Sequence, residues 1–196
     1  LIQFLPQLKN AFDTFTNQEY RHKLGDLLSL LSLIEIDSND STNNDILTYR
    51  IASPIENIGS WGHSYVRCLT LVLIRAYCDE QYPYSDQLPT LVDQIAKYYM
   101  EHNDEPDACD LLLKVDRLDE IIDLVDEESH KRVCIYLLQN YNYLHEPENI
   151  SVLRTVEKIY EKLGKTAQAM VMALKLNDFQ LMERIFNECQ DPSVRK

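Results

Sequence analysis

The sequence predicts an all-α chain, built as an α-solenoid of stacked antiparallel helix pairs. Three observations carry this. Apolar residues recur at three- and four-residue steps almost everywhere after residue 60, residues that start or stop helices fall at the seams between those stripes, and 196 residues include only four glycines. So few glycines leave too few positive-φ positions for a hairpin-rich β domain or a glycine-lined phosphate cradle. Short helices joined by turns, without one long central helix, favour stacking on chain neighbours over a closed bundle.

Taken in order, Leu5–Phe15 and Glu19–Glu35 read as two helices, followed by a polar stretch at 37–45 that is expected to be a flexible loop. Trp61 to Cys78 carries one stripe of Tyr65, Leu69, Val72 and Ala76, and a second of Cys68, Leu71, Leu73 and Ile74, so it is expected to be covered on most faces. A short linker is expected at 79–86. Leu88, Leu91, Val92, Ile95, Tyr98 and Tyr99 mark the next helix, and Ala108, Leu111, Leu112 and Val115 the one after, started by Asn103-Asp104-Glu105-Pro106. Leu118, Ile121, Ile122 and Val125 predict a third, and Val133, Tyr136, Leu137, Tyr141 and Leu144 a fourth. Val152, Leu153, Val156, Ile159, Tyr160 and Leu163 follow. The stripe Ala167, Met170, Val171 and Leu174 comes next, then Met182, Ile185, Phe186 and Cys189, with Asn177 as cap and Gln180 reaching back. Ala167, Ala169 and Ala173 beside the Gly164 turn predict a close helix approach of the tetratricopeptide kind. The whole of 1–196 reads as a single helical-repeat region.

Charge and composition exclude several function classes. Asp and Glu number 32 against 19 Lys and Arg, a formal charge of −13, which repels nucleic acid and anionic lipid. No apolar run approaches the ~20 residues that cross a bilayer. Five scattered cysteines, an odd number, suit reduced thiols in cytoplasm and nucleus. The chain opens on Leu1 with no basic-then-apolar leader, and is expected to be a fragment of a longer chain.

Catalytic and metal chemistry find little seat in the residue pattern. There is no Cys-x-x-Cys, His-Glu-x-x-His or Gly-x-Ser-x-Gly, so neither a metal, another cofactor nor a catalytic residue is expected. His130 and Cys134, four apart on one helix, make a thiolate–imidazole pair geometrically feasible, against the plainer reading of Cys134 as core and His130 as a solvated residue. Between Glu101 and Glu128, twelve acidic residues meet only Lys114 and Arg117. Asp116, Asp119, Glu120, Asp123 and Asp126 alternate there with an apolar stripe, which makes them either a solvated helix face or a contact face for a basic partner. Trp61, Gly62, His63, Tyr65 and Arg67 gather at a helix start; Trp61 is expected to anchor the core, with His63 and Arg67 meeting polar groups such as the Thr48-Tyr49-Arg50 segment.

Several strings are specific: Leu47-Thr-Tyr-Arg-Ile51, Ser60-Trp-Gly-His-Ser-Tyr-Val-Arg67, His102-Asn-Asp-Glu-Pro-Asp-Ala-Cys-Asp-Leu-Leu-Leu113, Arg132-Val-Cys-Ile-Tyr-Leu137, Glu146-Pro-Glu-Asn149 and Leu174-Lys-Leu-Asn-Asp178. Together they resemble the non-ATPase scaffold subunit 1 family of the 26S proteasome regulatory-particle base, called non-ATPase regulatory subunit 2 in animals. The resemblance implies an N-terminal helical rod that precedes a repeat toroid absent from this chain. It also implies a non-catalytic scaffold for ubiquitin-dependent protein degradation, touching other regulatory-particle subunits, including those of the ATPase ring. Ubiquitin, ubiquitin-like-domain shuttles and a deubiquitinase would engage only the missing toroid. The alternative is a free-standing tetratricopeptide-like adaptor, which would cluster Asn, Lys or Arg along one inner face.

Overall fold

The computed structural model describes residues 2–36, 44–53, 57–79 and 81–188, and among them every regular element is an α-helix or a 3-10 turn. The helices are α1 (Leu5–Thr14), α2 (Gln18–Ile36), α3 (Asp45–Ala52), α4 (His63–Tyr77), α5 (Leu88–Glu101), α6 (Glu105–Lys114), α7 (Ile121–Leu124), α8 (His130–Asn140), α9 (Glu148–Lys162), α10 (Thr166–Lys175) and α11 (Phe179–Glu188). Of the stretch read as a flexible loop, residues 37–43 lie outside the described residues, and Asp45 opens α3. The helices gather into two compact units, Leu1–Tyr98 and Tyr99–Lys196, and the division falls within α5.

In the first unit α1, α2 and α3 share a core of Leu5, Phe12, Leu28 and Leu31, with Leu8, Leu24, Leu27 and Tyr49 packed around it. Phe12 meets Tyr49 edge-on at 5.2 Å, and the Arg21 guanidinium lies 4.7 Å over the Phe12 ring. Gly25 is where α2 has no room for a side chain. A Cβ there would stand 1.9 Å from Ser53 Oγ and 2.8 Å from Phe12 Cε2.

In the second unit α8 packs on α6 and α9, and α9, α10 and α11 pack in succession, so contacts run between chain neighbours as in an α-solenoid. One turn geometry recurs. Asn103, Asp116, Gly164 and Asn177 all have positive φ, at 60°, 55°, 67° and 52°. At each, the following residue's N–H reaches back to a carbonyl in the last helical turn: Asp104 to Tyr99, Arg117 to Leu112, Lys165 to Tyr160 and Asp178 to Ala173. These are Schellman closures, in which a left-handed residue ends one helix and aims the chain into the next.

The closures also expose an internal repeat. Adding 61 to 103 gives 164, and adding 61 to 116 gives 177, so the second pair of left-handed residues repeats the first. The same shift carries the buried Leu91, Val92, Ile95 and Tyr98 of α5 onto the buried Val152, Leu153, Val156 and Ile159 of α9. It likewise carries Ala108, Leu111 and Leu112 of α6 onto Ala169, Met172 and Ala173 of α10.

Several expectations need correction. The buried side of α10 is Ala169, Met172 and Ala173, while Ala167, Val171 and Leu174 are exposed. Ala169 and Ala173 share a core with Ile185 of α11, so the side that fits between neighbours is buried in preference to the more apolar one. The cap of α11 is Asp178, whose Oδ1 accepts from Leu181 N at 3.1 Å; Asn177 instead closes α10. The helix expected over Leu118–Val125 is a 3-10 turn (Leu118–Glu120) followed by the one-turn α7. The fourth stripe also overran, because α8 ends at Asn140 and Tyr141–Tyr143 form a 3-10 turn. α4 buries Tyr65, Val66, Leu69, Thr70, Val72, Leu73 and Ala76, so of its second stripe Leu73 is covered, Cys68 and Ile74 are half-covered and Leu71, 60% exposed, is open.

Gly25→Ala is expected to destabilise the protein by about 1–2 kcal/mol in urea unfolding, because overpacking outweighs the gain in helix propensity. Adding Ser53→Ala, which removes the clashing oxygen, should recover part of that loss; an unchanged or raised midpoint for Gly25→Ala alone would contradict the packing described.

Candidate interaction surface

The tryptophan-centred string spans a 3-10 turn and the start of α4. Ile58–Trp61 form a 3-10 turn with Ile58 buried at its start, and Gly62, at φ 86°, swings the chain into α4. Trp61 is 39% exposed, so it sits at the rim rather than anchoring the core. His63 stacks on Tyr98, ring centroids 6.3 Å apart, and Arg67 lies on the exposed side of α4.

Tyr65 is the member that reaches inward. Its hydroxyl lies 2.7 Å from Ser29 Oγ, and that serine donates to the Ile46 carbonyl at 2.8 Å. The Arg50 guanidinium stands beside the same hydroxyl and donates to Asp26 Oδ1 at 3.1 Å, with Arg50 itself 2% exposed. Burial pushes the Tyr65 hydroxyl above its ordinary pKa. Four polar residues from α2, α3 and α4 are thus joined inside the first unit. The Thr48-Tyr49-Arg50 segment, expected to meet His63 and Arg67, meets this string at Tyr65 through Arg50. Ser29 and Asp26 gave no sequence signal, because a polar residue on a helical stripe reads as solvent-facing until its partner is placed.

The acidic residues have divided roles. Asp116 is exposed and left-handed, closing α6. Asp119 accepts from Thr155 Oγ1 at 3.1 Å and stands 3.6 Å from Lys158, both on α9. Glu120 accepts from Arg117 Nε at 2.7 Å. Asp126 accepts from the backbone N–H groups of Glu128 and Ser129 and from Ser129 Oγ, while Ser129 Oγ accepts from Asp126 N, a reciprocal box at the start of α8. Those bonds hold the Asp126 carboxyl below its ordinary range, the Ser129 N–H contributing most. Lys162 Nζ donates to the Val125 carbonyl at 3.1 Å, capping the end of the acidic segment from α9. Asp123 is exposed and, with Asp116, keeps its carboxylate outside these bonds.

The thiol pair is sealed. Cys134 is fully buried and neighbours Tyr160; burial pushes its thiol up to about 11. His130, read above as solvated, is 4% exposed, with Nδ1 2.8 Å from the Glu127 carbonyl. In the first unit a groove of about 200 Å³ is lined by Arg50, Ile51, Asp86, Gln87, Thr90, Leu91 and Gln94, none of them a thiol, hydroxyl–imidazole pair or lysine nucleophile. No helix among the described residues is long and apolar enough to cross a membrane.

The model of the RPN1 N-terminal domain matches residues 1–196. The chain belongs to that family. It is similar to the 26S proteasome regulatory subunit rpn-1 of Neurospora crassa, 35% identical over 96% of this chain and 22% of the relative. It is also similar to the 26S proteasome non-ATPase regulatory subunit 2 of Dictyostelium discoideum, 36% identical over 83% of this chain and 18% of the relative. A third relative is homolog A of that subunit in Arabidopsis thaliana, 34% identical over 96% and 21%. This RPN1-family chain therefore spans about a fifth of the length of the curated relatives it matches.

Two outcomes are expected of the RPN1-family chain. Asp126→Ala should lower the melting temperature more than Asp123→Ala, because only the former leaves helix-start N–H groups without their acceptor. The folded Asp126 pKa lies below its unfolded value, so its stabilisation is complete above the ordinary carboxylate range and fades as pH falls through the depressed folded value. The gap between the two variants should therefore close on acidification. Under native conditions a small electrophile should label exposed Cys78 at neutral pH, while Cys109 and Cys134 label only after denaturation; rapid native labelling of Cys134 would revive a thiol chemistry.

Proposed function

We propose that this chain is a non-catalytic scaffold segment of the 26S proteasome regulatory-particle base. The carrying observation is the match of the RPN1 N-terminal domain along the whole chain, with relatives that are named proteasome regulatory subunits. On this reading 1–196 is one helical-repeat region that positions a toroid for ubiquitin and shuttle receptors relative to the ATPase ring. ATPase-ring and other regulatory-particle subunits are its direct partners. Ubiquitin, ubiquitin-like shuttles and a deubiquitinase engage the toroid, and the protein works in cytoplasm and nucleus. The physical support is neighbour-to-neighbour helix packing within each unit, which builds rigidity from one helix to the next. No observation favours the free-standing adaptor.

The acidic residues Asp116, Asp119, Glu120, Asp123 and Asp126 remain the proposed polar contact face. Asp116 and Asp123 are its outward members, since the other three already serve Lys158, Arg117 and the start of α8. Affinity purification of the tagged full-length protein should bring down ATPase-ring subunits. Asp116→Asn combined with Asp123→Lys should weaken that capture at moderate salt without lowering the melting temperature. Purification free of any proteasome subunit would overturn the scaffold reading; unchanged capture by the double variant would discard the acidic face alone.

A further inference from the structure

α9 buries one carboxylate that its repeat counterpart does not have. Under the 61-residue shift, Glu157 falls on Ala96 of α5, and both are inside: Glu157 at 4% and Ala96 at 1% exposure. Glu157 Oε1 accepts no hydrogen bond. Its closest cation is Arg184 of α11, whose Nη2 is 4.0 Å away, too far to donate. The same guanidinium donates through Nη1 to Glu161 Oε1 at 2.8 Å and through Nη2 to Glu161 Oε2 at 3.3 Å. Arg184 therefore spans two carboxylates one helical turn apart on α9, one exposed and one buried.

The other charged groups around Glu157 are Glu161, Lys158 and Arg154 on its own helix, with Asp178 of the α10–α11 turn held 3.6 Å from Arg154. α10 presents uncharged Ala169 and Ala173 to the shared core. α11 packs on α10 through a small apolar core. Ile185 is its buried residue, Leu181 and Met182 are half-buried, and Phe179 and Phe186 are 72% and 44% exposed.

We propose that α11 is a separately releasable helix, seated on α9 by Arg184 spanning Glu157 and Glu161, and freed when the buried Glu157 charge loses that counterion. An ionised carboxylate in an apolar seam is costly, and removing its partner leaves the charge uncompensated. Seating α11 completes the burial of Glu157, whereas lifting α11 returns the carboxylate to water. Lifting also uncovers Ala169 and Ala173, so release converts a closed seam into an apolar strip. Burial and the Glu161 charge push the Glu157 carboxyl above its ordinary range, while Arg184, Lys158 and Arg154 pull it back. The folded pKa lies above the unfolded one, so the ionisation penalty is absent at low pH and grows as pH rises past the ordinary glutamate range. This inference is independent of the proteasome reading.

Hydrogen exchange of the amides of 179–188, compared with those of α8 and α9, tests it. At about pH 7.5, Arg184→Gln should speed α11 exchange by about tenfold or more, the equivalent of one pKa unit of lost compensation, with α8 and α9 unchanged. After correction for intrinsic rates, the acceleration should shrink near pH 5. Glu157→Gln combined with Arg184→Gln should return α11 toward wild-type protection, and Glu157→Gln alone should protect it at least as well as wild type. The proposal fails if Arg184→Gln leaves α11 unchanged, if α8, α9 and α11 all accelerate together, or if the double variant exchanges as fast as Arg184→Gln. Weaker α11 protection in Glu157→Gln alone overturns it as well.

Discussion

A helix of ten residues is not stable by itself in water, because the cost of nucleating it is recovered only over longer runs or by packing. α6, α10 and α11 are each that short. Each depends on a neighbour delivered at once and in the right direction, and the left-handed closures at Asn103, Asp116, Gly164 and Asn177 provide the delivery. Only one of the four is glycine. Asn and Asp tolerate this conformation better than other side-chain-bearing residues, so a chain poor in glycine still turns sharply between helices.

Electrostatics inside the second unit follows the same neighbour rule. The segment Glu101–Glu128 has a large acidic excess, yet α9 answers it with Thr155 and Lys158 at Asp119 and with Lys162 at the Val125 carbonyl. Lys165, beyond the end of α9, stands 3.5 Å from Glu127. Asp126 spends its charge on the start of α8, where backbone N–H groups need an acceptor. Much of what looks in sequence like a surface for a basic partner is thus an internal complement between successive elements.

The fold class and most helix positions were legible because periodicity reports the buried side of a long amphipathic helix well. α5 is the clearest instance, since all six of its expected stripe residues are buried. Legibility failed where side-chain volume decides. In α10 Ala169 and Ala173 face inward and Val171 and Leu174 face out, which inverts a ranking by apolarity. It failed again for caps, because Asn177 and Asp178 are adjacent and either suits a helix boundary; only the backbone shows that one closes α10 and the other opens α11. Buried polar residues were the least visible. His130, Ser29 and Arg50 are ordinary surface types by composition, and their partners lie 3, 17 and 24 positions away.

Four of the strings that carry the family resemblance meet in pairs. Arg50, from Leu47–Ile51, stands beside Tyr65, from Ser60–Arg67. Glu105, from His102–Leu113, is buried and receives both Nε and Nη2 of Arg132, the first residue of Arg132–Leu137, while Asn103 accepts from the same Nη2. Asp178, ending Leu174–Asp178, caps α11 and faces Arg154. Each pairing joins helices within one unit and supplies a partner to a polar group that is costly to bury alone. At these positions the strings act as clasps that hold one helix at a defined place on another, so their polar residues answer to helix placement rather than to solvent.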